Sequence, residues 1–159
     1  MKIAGVRANN RKRAFEVATR KGICLFPYAK LRVPPHAGDR VVEVFPDPEL
    51  GREAFTYRLE SGAEDTIHLD AVLDYNRDPE HLMELLVHRL TVEARKAVEE
   101  SPLSKRELIR RLGTSASQFY RLLDPAYGRK SLGQLLALLY LVDRDLEVVE
   151  RRDTALSAT

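Results

Sequence analysis

The chain has 159 residues, of which 44% are hydrophobic, so it suits one or two packed globular domains and not a disordered tail. Lysine and arginine number 26 against 24 acidic residues, and the net charge of +2 gives no general attraction to nucleic acid. The single cysteine, Cys24, excludes a disulfide within the chain, and no apolar stretch is long enough for a signal peptide or a membrane helix, so we expect a cytoplasmic protein without a membrane partner.

Residues 1–76 are predicted to form a small β-rich domain. Apolar residues here often alternate with polar ones, as on half-buried strands. Strands are predicted at residues 14–19, 22–26 and 40–45, with a tight turn joining the first two at 20–22.

A β-hairpin is the clearest element of this domain. Phe55, Tyr57 and Leu59 alternate along its first strand and share one face, and residues 66–70 form the second strand. Segments rich in proline are predicted to be loops, because proline cannot donate to a sheet ladder; they cover residues 34–38 and 46–51.

The pattern changes at Asp78-Pro79, since aspartate is a good N-cap and proline suits the first helical position. We place a second, helical domain at residues 77–159. Apolar residues follow a period near 3.6 as far as Pro102. They predict one long helix, or two helices end to end with a break near Leu90 and Thr91.

Few side chains of the sequence suggest catalysis or metal binding. His68 and Asp70 lie two apart on a predicted strand and so share a face, as a catalytic pair needs, but a solvated face explains them equally. His81 and His88 lack a third ligand at suitable spacing and are interpreted as surface residues. Cys24 is interpreted as a buried apolar residue. We expect neither an enzyme nor a metal site nor a cofactor.

The residues around Ser104 form a complete N-terminal capping motif for a helix. The Ser104 side chain can cap the amide of Glu107, the Glu107 carboxylate can reach back to Ser104, and Leu103 can pack on Leu108. Gly113 can adopt the left-handed conformation that ends a helix sharply. The sequence therefore predicts a short helix between Ser104 and Gly113.

Two further helices are predicted to follow. The second has Thr114 or Ser115 as its cap and Phe119 on its apolar face. The third begins at Ser131, with Gln134 three residues on. Two short helices joined by a tight turn with glycine form the helix-turn-helix pattern.

Residues 107–123 resemble the phage-repressor-like (lambda repressor-like, Xre-type) helix-turn-helix family in the run Glu107-Leu108-Ile109-Arg110-Arg111-Leu112-Gly113-Thr114-Ser115 and the helix after it. The resemblance covers Thr91 to Val142. It implies an all-α domain of that fold behind the β-rich domain, and so an α+β chain. The first half resembles a small bacterial α+β domain of unknown function that occurs beside such units.

The resemblance implies which residues contact double-stranded DNA, since the second helix of such folds enters the major groove. Side chains facing bases would be Ala116, Ser117, Gln118, Tyr120 and Arg121. Phosphate contacts would come from Lys105, Arg106, Arg110, Arg129 and Lys130. The caps and the turn are Ser104, Gly113, Thr114 and Ser115. Arginine can pair with guanine and glutamine with adenine.

Positive charge is concentrated in the same region. Residues 104–130 contain seven basic and two acidic residues, a local charge of +5, as phosphate contact requires. The segment 124–130 has two interpretations, a loop that grips phosphate or only a turn before a helix.

The sequence leads to two hypotheses of function. The first is a bacterial transcriptional regulator that binds DNA sequence-specifically as a homodimer, with the β-rich domain sensing or dimerising. The second is an adaptor or antitoxin-like protein whose N-terminal domain binds a partner protein and whose helix-turn-helix serves autoregulation or assembly. Residues 145–149 alternate like a short strand and are predicted to pair with a second copy or with the β-rich domain.

Overall fold

The computed structural model describes residues 1–152 and shows an α+β chain, with strands in its first part and helices from residue 69 onward. This confirms the fold class at that level. Contacts divide the chain into two compact units, the first comprising Met1–Met83 and the second beginning at Glu84. The domain boundary after residue 76 stays a prediction, and the end of the second predicted domain lies outside the described residues.

The first unit contains two antiparallel sheets of three strands each. One has the order β1 (Ile3–Asn9), β2 (Ala14–Thr19), β3 (Gly22–Pro27), and the other the order β4 (Val41–Pro46), β5 (Ala54–Leu59), β6 (Glu64–His68). A short 3-10 helix, Tyr28–Lys30, follows β3. Pro46 is the last residue of the edge strand β4, so the predicted loop begins one residue too early. An edge strand tolerates proline at a position where no neighbouring strand needs the amide hydrogen.

Both predicted hairpins are present. Thr19 pairs with Gly22 across the turn between β2 and β3, and Gly22 has a φ of 123°, a conformation that glycine adopts most easily. β5 pairs with β6 from Ala54–His68 to Arg58–Glu64.

The two sheets share one apolar core built around Phe15 of β2. Its ring centroid lies 5.0 Å from that of Phe55, 5.1 Å from that of Tyr57 and 5.1 Å from that of Tyr28. Aromatic rings at such separations stabilise a core beyond their buried area. The strands β2 and β5 therefore face each other through this aromatic cluster.

The sequence does not predict β1 or the helix α1 (Leu69–Tyr75). The register of β1 shifts between Ile3 and Gly5, which breaks its alternation of apolar residues. The strand predicted to reach Asp70 ends at His68, and Leu69 begins α1. His68 and Asp70 therefore do not share the face of a strand.

The helix α2 (Pro79–Glu100) is continuous, so the alternative with a break near Leu90 is wrong. Asp78 accepts a hydrogen bond from the His81 amide at 2.9 Å, and Pro79 is the first helical residue, as predicted. His81 is buried, which corrects its interpretation as a surface residue.

Three short helices complete the second unit: α3 (Lys105–Leu112), α4 (Ala116–Leu123) and α5 (Leu132–Leu141). Their buried residues Leu108, Phe119, Leu135 and Leu138 pack with Ala94 of α2 in one core. Across the described chain, every helix is too short or too polar to cross a bilayer. The strand predicted at residues 145–149 is not formed, since these described residues have no regular secondary structure.

Candidate nucleic-acid interface

The ends of α3 are formed by the residues that the sequence predicts. The Ser104 hydroxyl accepts a hydrogen bond from the Glu107 amide at 3.2 Å, and Gly113 has φ 68° and ψ 33°. Leu103 packs against the core that contains Leu108. The Ser104 cap and the left-handed Gly113 fix the length and the exit of the helix.

The Glu107 carboxylate binds two arginines instead of reaching back to Ser104. Arg110 donates to it through Nε at 2.9 Å and Nη2 at 2.5 Å, and Arg111 through Nε at 2.7 Å. The bonds from Arg110, and then those from Arg111, lower the pKa of Glu107 to about 2. Arg110 is therefore held in an ion pair within α3, which weakens the case for it as a phosphate contact.

Ser115, and not Thr114, caps α4. Its hydroxyl accepts a hydrogen bond from the Gln118 amide at 3.2 Å. The Thr114 hydroxyl instead donates to the Gln118 side-chain oxygen at 2.8 Å, which orients that side chain. Phe119 is fully buried. The five side chains assigned to base contact are all exposed: Ala116, Ser117, Gln118, Tyr120 and Arg121.

These exposed side chains divide between two grooves of the second unit. The α4–α5 groove, of about 180 Å³, is lined by Gln118, Arg121, Leu122, Tyr127, Arg129, Lys130, Ser131 and Gln134. The α2–α4 groove, of about 310 Å³, is lined by Arg95, Val98, Glu99, Lys105, Tyr120, Leu123, Asp124 and Pro125. Tyr120 is thus separated from Gln118 and Arg121, with which the sequence grouped it.

The α4–α5 groove is basic. The Arg121 guanidinium lies 5.9 Å from the centre of the Tyr127 ring, a cation–π contact that holds it over the groove. Arg129 has no ion pair with any described residue, and none of the lining side chains is acidic. The groove therefore offers two arginines and two glutamines to an acceptor-rich ligand.

Lys130 lines the same groove, but its ammonium is bound within the protein. It donates to the Thr91 hydroxyl at 3.0 Å and to the backbone carbonyl of Asp124. Thr91 is fully buried and in turn donates to the carbonyl of Val87 at 2.7 Å. Burial lowers the pKa of Lys130, against the opposing charge of Asp124. Lys130 thus ties the segment 124–130 to α2, which favours the interpretation of that segment as a fixed turn.

The α2–α4 groove contains Lys105, another of the predicted cations of α3. The Lys105 ammonium lies 6.0 Å from the centre of the Tyr120 ring. Glu99 lines the same groove, so its charge is mixed. Arg106 is exposed and has no ion pair with a described residue. The predicted cations that stay available to an external anion are Lys105, Arg106, Arg121 and Arg129.

Sequence reasoning missed Tyr127, Gln134 and Arg95 as lining residues. Tyr127 stands in a loop outside any periodic pattern, so its contact with Arg121 depends on the course of that loop. The sequence identifies Gln134 only as the partner of the Ser131 cap, whose hydroxyl accepts from the Gln134 amide at 3.3 Å.

Cys24 does not line either groove. Cys24 is half-buried on β3, and this burial raises the pKa of its thiol. In residues 1–152 no group of three or more His, Cys, Asp or Glu side chains is placed to hold a metal ion.

No protein-family model, curated protein or solved structure matches this chain. The assignment of Thr91 to Val142 to the phage-repressor-like family is therefore wrong, and so is the family resemblance of the first half. Caps, a turn glycine and an apolar repeat suggested that family, but short packed helices of other folds have them too.

Proposed function

We propose that the second unit binds double-stranded DNA, with α4 in the major groove and Gln118 and Arg121 against base edges. The observation that carries the proposal is the α4–α5 groove, where both side chains are exposed beside Arg129 and no acidic side chain belongs to the lining. The major groove admits an α-helix, and arginine and glutamine match its acceptors. Ala116 and Ser117 at the start of α4 are small enough for close approach.

The surrounding cations supply affinity that does not depend on sequence. Lys105, Arg106 and Arg129 have no ion pair with a described residue, so each can displace a counterion from a phosphate. Arg110 and Arg111 share the negative charge of Glu107 and contribute less.

The biological role that fits this binding mode is that of a bacterial transcriptional regulator acting as a homodimer. A helix of eight residues reads few base pairs, and two copies on two half-sites supply the discrimination that one lacks. The β-rich first unit then serves for sensing or for dimerisation.

Arg121→Ala is the variant that tests the reading role of α4. We expect it to lose about 1 to 3 kcal/mol of specific binding and to relax the preference at one base position, while affinity for unrelated duplexes changes little. Fluorescence anisotropy on a preferred and on a scrambled duplex measures both quantities.

Arg89→Ala is the matched control, because it removes the same charge from an exposed position on α2 outside both grooves. It should leave the ratio of the two affinities unchanged. If Arg121→Ala binds as selectively as the wild type, α4 is not the reading helix.

Exposed apolar residues on the sheet edges favour a second candidate function, an adaptor or antitoxin-like protein. Ile23 on the edge strand β3 is 65% exposed and Val42 on the edge strand β4 is 58% exposed. Exposed apolar side chains of this kind can contact a partner protein. In that case Ile23→Lys should abolish capture of the partner without changing DNA affinity.

A further inference from the structure

The first unit contains a cavity of about 400 Å³ that the proposed DNA binding does not use. Its lining includes Asn10 and Arg13 from the loop between β1 and β2, Tyr28, and Pro35, His36 and Arg40 from the segment before β4. Tyr28 and Pro35 are buried and form an apolar wall of the cavity, whereas Arg13, His36 and Arg40 are exposed. We call this cavity the Arg13 pocket.

The side chains of Asn10, Arg13, His36 and Arg40 can all donate hydrogen bonds to a ligand in the Arg13 pocket. The Tyr28 hydroxyl donates to Asn10 Oδ1 at 3.0 Å, so the amide NH2 of Asn10 remains available. His36 Nδ1 accepts from the Gly38 amide at 3.2 Å, which leaves the Nε2–H on the other side of the ring as a donor. The guanidinium groups of Arg13 and Arg40 have no partner among the described residues.

The backbone at Arg13 is in the left-handed region, with a φ of 51°, where glycine would be less strained. Arg52 also has a left-handed backbone, with a φ of 64°, but its side chain has a structural role. Its guanidinium donates to the carbonyls of Ile3 at 3.1 Å and Ala4 at 2.7 Å. Arg13 forms no such contact. Its carbonyl accepts from the Tyr28 amide at 2.9 Å, a bond that any residue can form. Unusual backbone conformations of this kind concentrate at ligand sites.

Two acidic residues, Asp39 and Glu60, stand beside the pocket, and both carboxylates already accept hydrogen bonds; that of Glu60 accepts from the Arg40 amide at 3.1 Å. Asp39 pairs with His36 through the backbone, and its carboxylate accepts from the Ser61 amide at 2.8 Å and the Ser61 hydroxyl at 2.7 Å. No acidic side chain lines the pocket. The two arginines therefore line the cavity without an ion pair to a described residue.

We propose that the Arg13 pocket binds the phosphate group of a small organic phosphate. Guanidinium groups bind phosphate in bidentate fashion, and Asn10 and His36 add donors for its remaining oxygens. Tyr28 and Pro35 provide an apolar wall for the organic part, as in other small-molecule sites. This site is independent of the DNA-binding proposal and gives the first unit a ligand of its own.

The experiment titrates the full ¹⁵N-labelled chain with ribose 5-phosphate and, separately, with uncharged ribose. We expect saturable amide shifts at Arg13, Ala37 and Arg40 with the phosphate and none with ribose. Arg13→Gly and Arg40→Gln should each weaken binding about tenfold or more, because each removes charged hydrogen bonds. Glycine relieves the left-handed backbone, so Arg13→Gly keeps the fold.

Arg11→Ala is the matched control, since Arg11 is exposed in the same loop and does not line the pocket. It should bind ribose 5-phosphate as the wild type does. The proposal is overturned if the wild type shows no saturable shifts, if ribose binds equally well, or if Arg11→Ala weakens binding as much as Arg13→Gly.

Discussion

Glu16 shows how a single charged residue fixes the hairpin of β1 and β2. The side chain is only 5% exposed, and its carboxylate accepts from Lys12 at 3.0 Å, from Asn9 at 2.8 Å and from Arg7 at 2.5 Å. The bonds from Lys12, Asn9 and Arg7, in that order, outweigh burial and lower the pKa of Glu16 to about 2. The charged form of Glu16 is thus favoured by folding.

The pKa of Glu16 predicts a dependence of stability on pH. A carboxyl whose pKa is lowered from 4.5 to about 2 stabilises the fold above pH 4.5, and this contribution is lost as the pH falls through 2. Glu16→Gln should therefore lower the melting temperature of the first unit at neutral pH and have little effect at pH 2. Thermal unfolding of both chains across this range tests it, and an equal difference at all pH values would contradict it.

Replacing glycine by alanine should change the free energy of unfolding in opposite directions at two positions of the second unit. Gly113 has a φ of 68°, so Gly113→Ala should lower the free energy of unfolding by about 1 kcal/mol. Gly133 lies in α5, where a Cβ would meet only the Ser131 hydroxyl oxygen at an ordinary 3.6 Å, so Gly133→Ala should raise it by up to about 1 kcal/mol. Urea unfolding of both variants measures the signs; two changes of the same sign would contradict the roles given to these glycines.

At the scale of elements, the segment 124–130 contains two neighbouring cations with different roles. Arg129 has no ion pair with a described residue, so Arg129→Ala should reduce the slope of log affinity against log salt by about 1 and leave stability unchanged. Lys130 binds Thr91 and Asp124, so Lys130→Met should lower stability by about 1 kcal/mol with little change in the salt slope. Salt titrations of DNA binding and urea unfolding separate the two roles. A lower stability for Arg129→Ala, or a smaller salt slope for Lys130→Met, would contradict this assignment.

Elements whose signals are local were predictable from the sequence. Caps such as Ser104 and Ser131 depend on residues within one turn of the helix, and the hairpin turn at Gly22 depends on two neighbours. β1 was not predictable because a register shift interrupts its alternation, and α1 because a seven-residue helix directly after a strand has too few apolar positions to show a period.

The candidate site was predictable only in part, since contacts distant in sequence decide which cations are free. The sequence identifies the exposed residues of α4, but it counts Arg110 and Lys130 as available to phosphate. Glu107 binds Arg110, and Thr91, 39 residues from Lys130, binds Lys130. Tyr127 joins the groove through a loop that no periodicity describes.

At the scale of the whole molecule, the proposal requires two copies of the chain. We expect sedimentation equilibrium at tens of micromolar to show a dimer, or the 18.1 kDa chain to dimerise on a duplex with two half-sites about one helical turn apart. A monomer in solution that also binds such a duplex with one copy would exclude this arrangement.

Selection of bound sequences from random duplex DNA by the full chain tests the central claim most directly. We predict enrichment of a two-fold symmetric motif. One base position in each half-site should lose its preference when the selection is repeated with Arg121→Ala, and should keep it with Arg89→Ala. Recovery of no enriched motif by the wild-type chain, or of the same motif by Arg121→Ala, would contradict the claim that α4 reads DNA.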